Sequence, residues 1–246
     1  MHPILRPPRS LLPALFLAFV GQGALASTWN LESGATRATG RGSSWGNQLT
    51  FTHSHQSLRV SAWSDTGSPE GTFEAAYLGR FSTGLGVCNR GEGSIPACIN
   101  AGLDHQVDNV SQQDLVLFLF DTPQTLLSLT IDPWGVWDRD VSFWVGNVSP
   151  TLSLGGATRA TLAALGFGAQ VDSFNSAGDD PLPVSLGGRV GNALLVSALF
   201  PADSSPDRFK IQTLVTSNAT VVPAPAALWL LASALGSLAG LRRCRS

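Results

Sequence analysis

The chain has 246 residues, 43% of them hydrophobic and 13% charged, with a formal net charge of −2. Five of its 15 basic residues, Arg6, Arg9, Arg242, Arg243 and Arg245, stand at the two ends, whereas all 17 acidic residues lie between Glu32 and Asp207. The body is therefore acidic, 10 cations against 17 anions, which excludes a basic nucleic-acid-binding surface.

The chain opens "MHPILRPPRS", with Arg6 and Arg9 ahead of the apolar run "LLPALFLAFV" at residues 11–20. "GQGALAS" follows and puts Ala24 and Ala26 at the small-residue positions a signal peptidase requires. This pattern predicts a secretory signal peptide over residues 1–26, cleaved after Ala26. The run is too short to span a bilayer, and Pro13 interrupts it. Everything from Ser27 onward is expected to be exported.

No helical period of useful length appears between Ser27 and Val222. Short stretches rich in Val, Leu, Phe and Thr recur instead, divided by Gly, Pro, Asn and Asp. In chain order the candidate strands are "QSLRVSAW", "GTFEAAYLG", "DLVLFLFD", "TLLSLTI", "DVSFWVG", "AQVDSFNS", "NALLVSALF" and "RFKIQTLVT". "DVSFWVG" alternates Val141, Phe143 and Val145 against Ser142 and Trp144, as half-buried strands do. "LVLFLF" is apolar on both faces and predicts a central strand covered on each side. "TLAALGFG" allows a helical turn, and the Gly/Ser/Arg-rich stretch 36–46 reads as loop. The fold class expected is all-β: a single, jelly-roll-like β-sandwich over residues 27–220.

Three cysteines are present, and Cys244 stands among the terminal arginines. Cys88 and Cys98, in "VCNRGEGSIPAC", are most simply a disulfide in an oxidising exported compartment. A metal site is the alternative. No second Cys/His pair has ligand spacing, since His53 and His55 alternate on one strand far off in sequence.

Two clusters carry chemistry. Asp104, Asp108, Asn109 and Asp114, close to His105, offer oxygen ligands on a loop between strands and form a candidate calcium site. Their order matches no EF-hand or nonapeptide repeat. The competing reading has Asp108 and Asn109 bonding turn amides and capping the next strand. In "DPWGVWDRDVSFW", Trp134 and Trp137 stand amid Asp132, Asp138 and Asp140, as indoles and carboxylates do on sugar-binding surfaces. Tryptophan is also an ordinary constituent of sandwich cores. Core burial is expected for Trp144, and exposure for Trp134 between Pro133 and Gly135. For catalysis there is no G-x-S-x-G, H-E-x-x-H or Walker loop. No pair among the 17 carboxylates stands out for glycoside hydrolysis,. An enzyme is not expected, and a concave pocket gathering two or more acidic or histidine side chains would speak against that.

The chain closes "VVPAPAALWLLASALGSLAGLRRCRS". Residues 226–241 carry no charge, and with 221–225 the apolar segment reaches 21 residues, enough to cross a bilayer,. Arg242, Arg243 and Arg245 then supply the positive charge that halts translocation. The order Val222-Pro223-Ala224-Pro225, a Leu/Ala/Gly-rich span and an arginine cluster resembles the PEP-CTERM sorting signal of Gram-negative bacteria. Here the family's Pro-Glu-Pro is Pro223-Ala224-Pro225. The resemblance implies recognition over residues 221–246 by exosortase, a membrane protease, through a transmembrane helix that touches the membrane only transiently. It further implies delivery to the cell envelope, cell surface or extracellular matrix. "GLGVCNRGEGSIPACINAGLDHQVDN" followed by "DLVLFLF" also resembles a segment of many PEP-CTERM surface proteins, in architecture only.

The function expected is that of an exported surface or matrix protein with a non-catalytic structural or binding body. A calcium-dependent carbohydrate-binding module is the alternative. Signal peptidase, exosortase and extracellular polysaccharide are the partners implied, with calcium the one candidate cofactor.

Overall fold

A computed structural model describes residues 26–39, 44–69, 71–100 and 105–219. The expected signal peptide up to residue 25, the tail 221–246 with its sorting and arginine motifs, and Asp104 lie outside the described residues. Among the described residues no helix is long and apolar enough to cross a membrane.

The architecture is all-β. The strands are β1 (Ala26–Asn30), β2 (Thr36–Thr39), β3 (Gln48–His53), β4 (Gln56–Ser64), β5 (Glu74–Ala75), β6 (Tyr77–Phe81) and β7 (Gly84–Cys88). A short helix, α1 (Ile95–Asn100), precedes β8 (Val107–Asp108), β9 (Asp114–Asp132), β10 (Val141–Gly146), β11 (Val171–Ser173), β12 (Leu182–Ala198) and β13 (Arg208–Asn218). The stretch expected to be loop after Ala35 thus contributes β2, whose residues Thr36 and Arg37 pair with Thr50 and Leu49 of β3. "TLAALGFG" does form a helical turn, within a 3-10 helix over Arg159–Leu165.

Two long strands make the sandwich. The first half of β9 lies between β4 (Leu58 opposite Phe120) and the second half of β12 (Ala193 opposite Leu119). The second half of β9 lies between β13 (Asn218 opposite Gln124) and the first half of β12 (Leu182 opposite Ile131). One layer therefore runs β11-β10-β12-β9-β4-β3-β2. The other holds β12, β9 and β13, with β1, β7 and β8 along the free edge of β13. The change of partner occurs where pairing jumps from Gly191–Gln124 to Ala193–Leu119. Pro123 sits in that jump, where its missing N–H costs the ladder nothing. The two strands expected as "DLVLFLFD" and "TLLSLTI" are consequently one.

Burial follows the pleat. Val116, Phe118 and Phe120 of β9 point into the space between the layers, with Trp29, Leu58, Val60, Phe143, Leu194, Val196, Phe209 and Leu214. Leu115, Leu117 and Leu119 point the other way, under a cover formed by Leu154, Leu162 and Phe167 with Trp63 and Trp144. Successive residues of a strand face opposite sides, so "LVLFLF" fills two cores at once. Each fully buried Leu or Phe contributes about 1.5–3 kcal/mol.

Two features prepare the site end. Cys88 at the end of β7 is disulfide-bonded to Cys98 of α1, with Cα atoms 6.0 Å apart. In the chain-entropy account a loop of this length stabilises the fold by about 2–3 kcal/mol. Gly86 in β7 has no room for a side chain, because an added Cβ would fall on the His105 carbonyl oxygen. That close approach seats residues 105–108 against β7.

Leu117→Ala and Phe118→Ala, adjacent residues serving opposite cores, should each cost about 2–5 kcal/mol in urea unfolding. A loss under 1 kcal/mol for either would show that its side of β9 is not a packed core.

Candidate functional site

The chemistry gathers at the end of the sandwich where β8 lies against β13, with Arg208 opposite Asp108 and Phe209 opposite Val107. Asp108 and Asn109 are neighbours in sequence, yet they serve two different clusters.

Asp108 joins Asp114 and Glu92, and carboxylate oxygens of the three lie within 4.8 Å of one another. Asp114 and Asp108 are buried at the base, while Glu92 is half-buried beside a cavity of about 220 Å³. Glu92 belongs to a capping box. Its Oε2 accepts from the Asn89 N–H at 2.8 Å, and the Asn89 side chain accepts from the Gly91 N–H. Asn89 also donates to Asp114 Oδ1 at 3.1 Å, and Val110 N–H donates to Asp108 Oδ1 at 3.0 Å. Arg208 Nη1 stands 3.8 Å from Asp108 Oδ2. Burial pushes the Asp114 carboxyl well above its ordinary value, the Asp108 and Glu92 charges push it further, and the Asn89 bond opposes them. Among the described residues, Asp114 Oδ2 is buried with no hydrogen-bond partner.

Asn109 belongs to the other cluster, with Asp138, Asp140 and Asp207. Its side chain donates to Asp207 Oδ2 at 2.7 Å and accepts from the Asp207 N–H at 2.9 Å. Asp140 N–H donates to Asp207 Oδ1 at 2.7 Å, and Asn175 N–H donates to Asp140 Oδ1. The turn reading therefore describes Asp108, whose Oδ1 accepts from the Val110 N–H two residues on, whereas Asn109 bonds a residue 98 positions away. Burial raises Asp207 from its ordinary 3.8 to about 7, against the pull of those two donors and with a push from Asp140 and Asp138.

A ledge of aromatic side chains adjoins both clusters. Trp134 is 58% exposed and Val136 68%, whereas Trp137 is half-buried and Trp144 is buried in the second core. Trp134 N–H donates to Gln106 Oε1 at 2.9 Å, and Trp137 Nε1 donates to the Trp134 carbonyl at 3.0 Å. The Arg208 guanidinium lies over the Trp137 ring at 4.8 Å, and Lys210 Nζ lies 5.7 Å from the Trp134 ring and 5.3 Å from Phe81. Lys210 is itself buried. Burial holds its ammonium below the ordinary 10.5, with Asp132 opposing.

The structure brings Asp108 and Asp114 together, assigns Asn109 elsewhere, and adds Glu92, which sequence reasoning missed. The signal for Glu92 was present: Asn89 followed three residues later by a glutamate is a capping box. What no spacing could show is that the box faces Asp114.

No protein-family model matches the chain, and no curated protein matches it. Among solved structures it is similar to the F5/8 type C domain of a Bacteroides fragilis protein, at 12% identity and a TM-score of 0.28. That likeness covers 50% of this chain and 80% of the other, and it is too slight to carry an argument.

Because the folded pKa of Asp207 lies above the unfolded one, the folded chain holds a proton between about pH 4 and 7 that the unfolded chain has released,. Stability should therefore decline as pH rises through that window. In thermal melts from pH 4 to 8, Asp207→Asn should flatten this decline while lowering the acid-side midpoint through a lost hydrogen bond. An unchanged slope in the variant would mean that Asp207 is already ionised in the fold.

Proposed function

We propose that this chain is an exported protein of the cell surface or extracellular matrix, whose jelly-roll-like body over residues 27–220 binds rather than catalyses. Signal peptidase acts first at the N-terminal segment. An exosortase-type system then reads the tail at Val222-Pro223-Ala224-Pro225, with Arg242, Arg243 and Arg245 held on the cytoplasmic side. The support for this route is the sequence of the two ends together with the Cys88–Cys98 disulfide, a bond of oxidising compartments,.

The observation that carries the binding reading is the Trp134–Trp137 ledge. An exposed indole whose backbone is pinned on both sides is a preformed stacking surface,. Neutral sugar rings fit it, with Asp138 beside it as a hydrogen-bond acceptor for hydroxyls, so the ligand class is extracellular polysaccharide. This specifies the alternative of a calcium-dependent carbohydrate-binding module as far as its contact face.

The cavity beside Glu92 and Asp108 gathers two acidic side chains, the arrangement expected of an enzyme. Its geometry argues against that use. Asp114 at its base is sealed from any substrate.

Two measurements test the proposal. The intact mass of protein recovered from its native host should lack both ends and show the disulfide formed; a mass retaining residues 221–246 would overturn the sorting reading. Trp134→Ala should weaken binding to the host's extracellular polysaccharide at least ~10-fold, as loss of a central aromatic contact does, while leaving the melting midpoint within ~1 °C. Equal retention of both proteins in affinity electrophoresis would overturn the ledge.

A further inference from the structure

We propose that Glu92, Asp108 and Asp114 form a binding site for one hard divalent cation of the calcium class. The ligand set differs from the one the sequence pointed to: Asn109 is engaged with Asp207, and Glu92 takes its place.

Three observations carry the site. Carboxylate oxygens of the three residues lie within 4.8 Å of one another, the spread that ligands at ~2.3–2.6 Å from a common ion can span,. In each carboxylate one oxygen is anchored by an N–H donor: Asn89 N on Glu92, Val110 N on Asp108 and the Asn89 amide on Asp114. Those anchors fix the orientation of the groups before any ion arrives, and Asn89 serves two of them. Finally, Asp114 is fully buried, its Oδ1 is taken by Asn89, and among the described residues its Oδ2 has no hydrogen-bond partner within an acidic cluster. A buried carboxylate oxygen left without a donor is costly unless a proton or a cation completes it.

Charge points to a dication. Among the described residues, three carboxylates gather beside the Arg208 guanidinium, which stands 3.8 Å from Asp108 Oδ2, so the cluster is rich in anionic oxygen. The cavity beside Glu92 gives an entry path and room for water ligands, and calcium's irregular shell makes fewer geometric demands on three carboxylates than magnesium's near-ideal octahedron. Asp138, Asp140 and Asp207, also within 4.8 Å of one another and likewise anchored by N–H donors, lack a buried oxygen without a partner among the described residues. Both Asp207 oxygens accept N–H donors, from Asn109 and Asp140.

The site does not depend on the ledge binding glycan, so the two proposals fail separately. The test uses the full chain, purified under oxidising conditions and stripped with a chelator, then titrated with calcium chloride or magnesium chloride at constant ionic strength. Calcium should bind with a stoichiometry of one by calorimetry, more tightly than magnesium. At a hundredfold excess over its Kd it should raise the melting midpoint by about 5 °C or more. Glu92→Gln, at the half-buried rim, should weaken calcium binding at least tenfold. Asp114→Asn should abolish the calcium response and melt higher than the stripped wild type, since it removes the crowded charge. Should that buried variant fail to fold, Glu92→Gln decides alone. Absence of a calcium-dependent shift in the wild type, or a response to calcium unchanged in Glu92→Gln, would overturn the site.

Discussion

Both layers of the sandwich exist because β9 changes neighbours without ending. Its first half is walled by β4 and β12 and its second by β13 and β12, so nineteen residues of one strand hold the two sheets in register. A strand clothed on both faces has no polar side to offer water, which is why residues 115–120 carry six apolar side chains in a row,. The bend is made of what a ladder tolerates least. Pro123 lacks an amide hydrogen, and in a second irregularity, between the Ser185–Ser128 and Arg189–Leu126 pairs, Gly187 and Gly188 of β12 take positive φ, where a side chain would be strained,. Everything at the site end hangs from this frame, because Asp114 opens β9 and Asp132 closes it.

The end of β8 at Asp108 also shows how one short segment supplies two clusters. Asp108 enters the Glu92–Asp114 group and Asn109 the Asp207 group. Between them, Arg208 faces Asp108 from the neighbouring strand and extends over Trp137. The acidity of the body is thus concentrated at one end. Four aspartates there are driven toward the neutral form chiefly by loss of water, Asp114, Asp207, Asp132 and Asp140. Each is held by amide donors or by a cation that partly offsets that cost.

Much of the fold was legible because it is written in period two. "LVLFLF" announced burial on both faces, "DVSFWV" sorted Val141 and Phe143 from Trp144, and the Cys88–Cys98 spacing announced the bridge. Harder to read were features that depend on distant partners. Pro123 and the exposed Asp121 and Thr122 look like the end of a strand, and only the pairing with β12 and β13 carries β9 past them. The same holds for "LPVSLGGRVG", whose glycines resemble a loop until β9 supplies hydrogen bonds to both sides of them. For the site, the composition of "DHQVDN" marked the right neighbourhood. Membership required contacts 98 residues apart in the case of Asn109 and Asp207. No local spacing encodes those.

The ledge shows why exposure alone is a poor guide and exposure with restraint a better one. Phe174 is 72% exposed and Val190 52%, and scattered apolar residues of this kind are normal on a protein surface,. Trp134 differs in what holds it. Gln106 receives its amide hydrogen, Trp137 donates to its carbonyl, and Lys210 stands near its ring. A residue whose backbone is already held loses less conformational entropy when a flat partner stacks on its ring, so more of the contact energy survives as affinity. The rigidity comes from the sandwich: Lys210 and Arg208 are β13 residues, and Gln106 immediately precedes β8. A binding face built on such strands inherits the order of the core, even though the aromatic residues themselves stand on a connecting loop.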